Sequence, residues 1–576
     1  MNIYTKFKSI LFDIFLDVTK IKNDNINSLS EKFTVELPRD INHGDMSTNI
    51  CLVLSSFVSL KPIDLANMMK PRIELLDEVD SVSIDGPGFI NFNLLHYFWH
   101  EQIKLILDHK EKYGETKAFR GKNINVEFVS ANPTGPLHVG HVRGAVIGDV
   151  LSNILKKVGY NVIKEYYVND SGNQINILAQ SVFLRYKELI DNQKIRIPEG
   201  YYPGEYLIPI AKQLYEKYEK KLINKNENSL EIIKDFSIKY ILKTIKDDLC
   251  RLNIEMDVYS SEDELVNNSS VSEAIRELQN KDLLYTGTLP PPKSIDDDWE
   301  PQEQTLFKSK IFGDDEDRTV TKSDGTLTYF ATDIAYHMDK LFRTKGTLIN
   351  IWGADHSGYV KRMTSVVKAI TDKENQLDIK LCQMVNLIKN NKPIKMSKRS
   401  GNFVTLKEII DEVGGDAIRF IMLTRKNDQI LDFDFDKVSQ KSKENPVFYV
   451  KYAHARLCSI IRKAEEMGLD LIKKDINLSL LNHATHLNLF KCLSNWPRAI
   501  ETSAIYKEPH RIVFYLIELS SMFHSLWSLG REEEGLRFFQ NDNSDLTYAN
   551  LHLVQATKYV IASGLDIISV SAPEEM

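Results

Sequence analysis

Residues 126–155 constrain this chain more than any other stretch. VEFV, at 126–129, alternates like the end of a buried strand, and ANPTGP after it is a tight connection built of turn formers. From His138 onward, Val142, Val146, Val150, Ile154 and Leu155 recur at helical spacing. The pattern puts His138 and His141 at a helix N-terminus, at the carboxyl end of a strand. Unpaired backbone N–H groups and the positive end of the helix dipole attract anions there. Crevices outside strand C-termini are also where α/β sheets bind ligands. Gly140, lacking a Cβ, leaves room for a base or ribose against the backbone. A zinc pair or a solvated helix start would give the same H-x-x-H spacing, but no nearby Cys, His, Asp or Glu cluster completes a tetrahedral set.

Far downstream stands Lys395-Met396-Ser397-Lys398-Arg399-Ser400-Gly401. Alone, such a basic stretch reads as a solvated loop. Together with His138-Val139-Gly140-His141 it resembles the H-I-G-H and K-M-S-K-S signatures of class I aminoacyl-tRNA synthetases, which in that family close on ATP from opposite sides.

Composition sets the bounds around this pair. At 576 residues a single compact core is not expected, and three or more domains are the natural prior. A hydrophobic share of 43% beside 27% charged residues points to ordinary globular domains rather than disorder. The net charge of −7 does not mark the whole surface for nucleic acid, though a local basic face would suffice for binding. Five scattered cysteines (Cys51, Cys250, Cys382, Cys458, Cys492), without C-x-x-C, suit a reducing compartment and no zinc knuckle. MNIYTKFKSILFDIFL is broken by charges, unlike a signal peptide, and no run of about 18 apolar residues reads as a membrane span. A cytoplasmic protein with no membrane contact is expected.

In chain order, 1–110 reads as a small α+β domain. It has a helix over 1–20, a strand-like TVEL, a helix through Leu52, Leu54 and Phe57 capped by Asp45 or Ser47, a helix from Pro62, and paired strands over 79–94 broken at Gly86-Pro87-Gly88. HGDMSTN and GPGFINF resemble the N-terminal domain of arginyl-tRNA synthetases, which implies contact with the tRNA elbow. Residues 111–385 read as a Rossmann-type parallel-sheet domain. Strand NVIKEYYVND (161–170) forms part of it, and a lysine-rich helical insertion at 181–300 carries a buried stripe of Ile238, Ile241, Leu242 and Ile245. Its lysines suit either a solvated face or RNA phosphates. Next come a strand at LINIW, ending in Gly353-Ala354-Asp355-His356, and a helix from about Thr332. Residues 386–440 hold the K-M-S-K-R loop and connecting helices, and 441–576 read as helix throughout, with Val447, Val450, Ala453, Leu457 and Ile460 on one face. VNDSGNQI, NPVFYVKYAHAR and the terminal ISVSAPEEM again resemble arginyl-tRNA synthetases of bacterial type. The fold class is therefore α/β multidomain, with a C-terminal all-α bundle.

The resemblance implies ATP-dependent ligation of L-arginine to tRNA(Arg) through an arginyl-adenylate, with Mg²⁺ accompanying ATP, no zinc and no organic cofactor, in a monomer. Neither step needs a protein nucleophile, so positioning and charge stabilisation must carry the rate. His138 and His141 match groups that donate hydrogen bonds to ATP phosphates. Lys398 would approach the β- and γ-phosphates, helped by Lys395 and Arg399. Gly353 and Asp355 match the ribose-holding part of the fold. Where some arginyl enzymes carry a compensating lysine shortly before H-I-G-H, this chain has Gly135 and keeps the loop lysine. A planar guanidinium demands buried carboxylates, and Glu262 and Asp333 stand where the family has them. Asn132 would contact the α-amino or carboxylate end, with Tyr329 beside it. His356 departs from the glutamine many arginyl enzymes have. Tyr449, Tyr452 and Arg456 suit stacking on unpaired bases, although aromatics at helical spacing also build cores. A synthetase for another amino acid, or an inactive tRNA-binding relative, are the competing readings.

Overall fold

A computed structural model describes residues 2–21, 26–38, 40, 43–224, 226–289, 302–394, 404–470 and 477–576. The chain opens with helix Ile3–Thr19, whose Phe7, Leu11 and Phe15 pack on an antiparallel sheet. That sheet comprises β1 (Val35–Glu36), β2 (Met46–Thr48), β3 (Val79–Asp85) and β4 (Phe89–Leu94), in the order β1-β2-β4-β3. The paired strands around Gly86-Pro87-Gly88 form as the alternation predicts. The helix read through Phe57 forms as Ile50–Leu54 and continues as a 3₁₀ turn, Ser55–Phe57, but neither Asp45 nor Ser47 caps it. Ser47 lies within β2. Asp45 instead accepts the Leu94 backbone N–H at 2.9 Å and pairs with Lys491 of the C-terminal half at 2.5 Å. Contacts distant in sequence outcompete the local cap.

The central sheet is wholly parallel. Its strands are β5 (Asn123–Glu127), β6 (Asn161–Val168), β7 (Val258–Ser261), β11 (Thr347–Gly353) and β12 (Leu377–Cys382), ordered β12-β11-β5-β6-β7. Taken by chain order among themselves they run 5-4-1-2-3, the doubly wound arrangement whose direction reverses between β5 and β11. The span 181–300 is therefore not helical throughout. Helices Leu207–Tyr218 and Glu227–Cys250 are present, with Ile238, Ile241 and Ile245 buried, but β7 belongs to the central sheet itself. Past it, β8 (Leu284–Gly287), β9 (Gln304–Phe307) and β10 (Arg318–Thr321) form a separate antiparallel sheet. The helix expected from about Thr332 starts at Tyr329 and runs to Thr344. A last small sheet joins β13 (Val385–Lys389), β14 (Lys392–Pro393) and β15 (Leu431–Asp434).

From Pro446 the described residues are predominantly helical: Pro446–Glu466, Ala484–Ser494, Trp496–Tyr506, His510–Glu532 and Ser544–Ile567. Val447, Val450, Ala453, Leu457 and Ile460 all lie in the core. Helix His510–Glu532 is long and apolar enough to cross a membrane. It buries Ile512, Val513, Leu516, Leu519, Phe523 and Leu526 inside the bundle. Arg419, fully buried, ties this bundle to the sheet domain. It donates to the carbonyls of Leu252 and Ile568 at 2.6 Å each and pairs with Asp149, which Lys164 also holds at 2.6 Å. Farther on, Lys451 bridges to Asp416 at 2.6 Å, Ser571 donates to the same carboxylate, and His454 Nδ1 donates to the Pro573 carbonyl at 2.9 Å.

Candidate active site

The crevice lies over the switch point, where the loops after β5 and β11 diverge. After β5 the backbone is strained: Val129 and Ser130 take φ of 69° and 38°, a region a β-branched residue seldom visits. The bend lets Ser130 accept the Tyr167 N–H at 3.1 Å while donating to Glu127 at 3.1 Å. Eight residues later His138 caps helix Val139–Lys157. Its Nδ1 accepts the Gly140 N–H at 3.1 Å, and His141 Nδ1 accepts the His138 N–H at 3.3 Å. The rings stack with centroids 4.0 Å apart. An Nδ1 that accepts leaves the proton of a neutral imidazole on Nε2, so both rings are set as Nε2–H donors. Gly140 sits tight beneath: a Cβ there would meet the His138 ring at 2.9 Å.

Across the switch point, Gly353 ends β11 and Asp355 follows in a short 3₁₀ segment, Ala354–Tyr359. Asp355 and His356 are exposed, 3.6 Å apart, with the His356 ring tilted toward Trp352. On the other flank, Asn132 donates to Gln174 at 2.9 Å. Tyr329 is exposed, with its hydroxyl end over Gly172.

Two carboxylates line the interior. Glu262 follows β7 and is 4% exposed, with Oε2 lacking a hydrogen-bond partner. Burial, then the charges of Asp333 and Asp170, push it up to about 7. Asp170 itself accepts from Ser261 Oγ at 2.7 Å and from the Asp263 N–H at 3.0 Å. Asp333 accepts a hydrogen bond from the Tyr359 hydroxyl, and burial raises it to about 6 against that hydrogen bond. A buried carboxylate with an unpartnered oxygen, beside a second carboxylate, suits a cationic group that carries several N–H donors.

Beneath the two carboxylates, Lys340 is fully buried and bridges Glu127 and Asn350, the latter at 2.8 Å. His337 Nε2 accepts from Asn350 at 3.0 Å and its Nδ1 donates to the Asp333 carbonyl at 2.8 Å, with burial keeping the ring neutral. Glu165 gathers Arg343, Asn125, Ser260 and Tyr336. These bonds brace β5, β6, β7, β11 and helix Tyr329–Thr344 as one floor. Sequence reading missed Glu127, Ser130, Tyr167, Asp170, Lys340 and Tyr359. Two of them left a signal: Glu127, a charge between the apolar Val126 and Phe128 at the end of a strand, and Asp170, which lies within the VNDSGNQI stretch.

Thus His138, Gly140, His141, Asn132, Glu262, Tyr329, Asp333, Gly353, Asp355 and His356 all stand at the C-terminal ends of adjacent parallel strands or on the helix braced beside them. Lys395, Lys398 and Arg399 lie outside the described residues. Tyr449, Tyr452 and Arg456 stand apart, in a cavity of 430 Å³ on the helical domain with Lys441, Lys443, Phe448 and His524. There Arg456 donates to the Tyr452 hydroxyl at 2.7 Å and leans on the Tyr452 and Trp527 rings.

A doubly wound sheet with a histidine-capped helix at its switch point and a helical domain behind it defines a class I aminoacyl-tRNA synthetase. Residues 102–459 match the family model for the class I (R) tRNA synthetase catalytic domain, 450–576 the DALR anticodon binding domain, and 3–94 the arginyl tRNA synthetase N terminal domain. The chain is 47% identical to the arginine–tRNA ligase of Parvibaculum lavamentivorans over 95% of its length and 94% of that protein's. To that of Wolbachia pipientis wMel it is also 47% identical, over the whole of both chains. The Thermus thermophilus arginyl-tRNA synthetase, 18% identical, shares the fold with a TM-score of 0.73 over 99% of this chain and all of its own. The chain belongs to the arginyl-tRNA synthetase family.

Proposed function

We infer that this protein charges tRNA with arginine in two steps within the crevice above the β5–β11 switch point. A carboxylate oxygen of arginine attacks the α-phosphorus of ATP, the bond to the bridging oxygen breaks, and pyrophosphate leaves with that electron pair. A terminal ribose hydroxyl of tRNA then attacks the adenylate carbonyl, and AMP departs. Positioning and electrostatics supply the rate.

The observation that carries this reading is the shared crevice: two Nε2–H donors at one helix N-terminus, the buried Glu262 after β7, and the half-buried Asp333 on the helix Tyr329–Thr344 braced against the same sheet. His138 and His141 donate to phosphate oxygens as charge develops. Gly140 admits the nucleotide, while Gly353 and Asp355 hold the ribose. Glu262 and Asp333 receive the guanidinium, Asn132 takes the amino-acid end, Tyr329 covers it, and His356 borders the entrance. Lys398, with Lys395 and Arg399, closes on the β- and γ-phosphates. Mg²⁺ enters with ATP, held by phosphate oxygens; zinc and organic cofactors have no part. Tyr449, Tyr452 and Arg456 stack against unpaired tRNA bases. The domains run 1–110, 111–385, 386–440 and 441–576, in a cytoplasmic monomer.

Arginine-dependent exchange of pyrophosphate into ATP, with and without total tRNA, tests the reading. Exchange with arginine alone among the amino acids is expected. Exchange with another amino acid, or with none while tRNA still binds, would overturn it.

A further inference from the structure

The loop that carries the histidines is held from outside the nucleotide-binding sheet, by the helical insertion. Resting on the active-site reading above, we propose that Tyr206 is a positioning residue that fixes the ANPTGP turn, and through it His138 and His141, in reactive geometry. Tyr206 immediately precedes the helix Leu207–Tyr218 and donates its hydroxyl to the Thr134 carbonyl at 2.7 Å. Its ring lies so close to the turn that a Cβ on Gly135 would meet it at 3.2 Å. On its own side, a Cβ on Gly204 would meet the same ring at 2.2 Å. A side chain at Gly204 would collide with the ring, and one at Gly135 would press on it.

The turn needs such a clamp. Besides the strain at Val129 and Ser130, Thr134 donates its N–H to the Asn132 carbonyl at 2.7 Å, a three-residue turn too tight to hold a long loop alone. Tyr166 grips the other end, donating to the Ala131 carbonyl at 2.7 Å. Tyr166 stands on the sheet, whereas Tyr206 arrives on a stiff strut. Tyr201 donates to Gln180 at 2.6 Å, the Tyr202 N–H to Ser181 at 3.0 Å, and Arg185 to the Pro203 carbonyl at 2.8 Å. All three anchors lie on helix Asn173–Asp191, which starts beside Asp170 at the arginine socket. The strut therefore links the socket wall to the histidine turn, and its alignment sets the approach of carboxylate to phosphorus.

Tyr206→Phe keeps the ring and removes only the hydroxyl. In pyrophosphate exchange with tRNA present, kcat is expected to fall about tenfold, with KM for arginine and ATP within about twofold and Tm within about 2 °C. Gly135→Ala, which pushes on the ring, should lower kcat in the same way. Tyr285→Phe deletes a tyrosine hydroxyl bond of the same kind, to Asp317 at 2.9 Å beside the separate antiparallel sheet and outside both strut and turn, and should leave kcat unchanged. Unaltered kcat in Tyr206→Phe, or equal losses in Tyr206→Phe and Tyr285→Phe, would overturn the proposal. His141→Ala separates the two readings: if it abolishes exchange while Tyr206→Phe does not, the site stands and the strut falls. If His141→Ala is fully active, the site reading itself fails.

Discussion

Thr405 forms an isolated antiparallel bridge with His138, and next to it Leu406 donates its N–H to the Leu137 carbonyl at 2.8 Å. The stretch bearing Lys398 thus rejoins the described fold on the very turn that presents the histidines. On the proposed reading, a cation delivered from there would add to the charge stabilisation given by the Nε2–H donors. Lys398→Ala should lower arginine-dependent pyrophosphate exchange by about a hundredfold or more while leaving tRNA affinity intact. Rapid-quench measurement of adenylate formation beside a filter-binding titration checks both halves.

Asp333 is held by Tyr359, and its partner carboxylate Glu262 has an oxygen to spare. Asp333→Asn should raise KM for arginine about 10- to 100-fold, the worth of a charge-assisted pair, and leave KM for ATP near the native value. Equal losses for both substrates would refute the guanidinium assignment. Tyr359→Phe should show a milder version of the same selectivity.

The two raised carboxyls also predict a pH dependence. Glu262 at about 7 and Asp333 at about 6 bind protons more firmly in the folded, empty site than in the unfolded chain. Their contribution therefore favours folding at low pH and is lost as pH rises from about 4 through 7. Arginine requires both ionised, with Asp170, Tyr167 and Arg362 the neighbouring groups, so its affinity runs the other way. KM for arginine should rise about tenfold between pH 7.5 and 6. Glu262→Gln should flatten that slope, as isothermal titration across the range will show.

Lys340 neutralises Glu127 deep under the crevice. Lys340→Met removes one partner of a buried pair and strands the other, at a cost of about 3–5 kcal/mol. Thermal unfolding should show a clear drop in Tm, and the double variant Lys340→Met with Glu127→Gln should recover part of it.

What the sequence reveals and what it hides follow one physical division. Helix Val139–Lys157 and β11 were readable because apolar periodicity and flanking turn residues are local properties. Strand β7 was not: it is four residues, half-buried, and exists because it pairs with β6. Asp45 misled for the same reason, since Leu94 and Lys491 are distant in the chain. The histidines, Glu262 and Asp333 were singled out through their resemblance to a family pattern. Glu127, Lys340 and Tyr359 belong to pairings that only the folded sheet creates, and no window of sequence contains both partners.

Arg419 draws Asp149, Leu252 and Ile568 to one point, three places that leave the extended chain far apart. A joint of that kind cannot close early. Until residues around 568 dock, Arg419 lacks one of its carbonyl acceptors, and the sheet domain is left with an unfinished seam. Arrival of the helical domain is then the step that completes the catalytic half, and the two should melt as a single cooperative unit rather than as beads on a string.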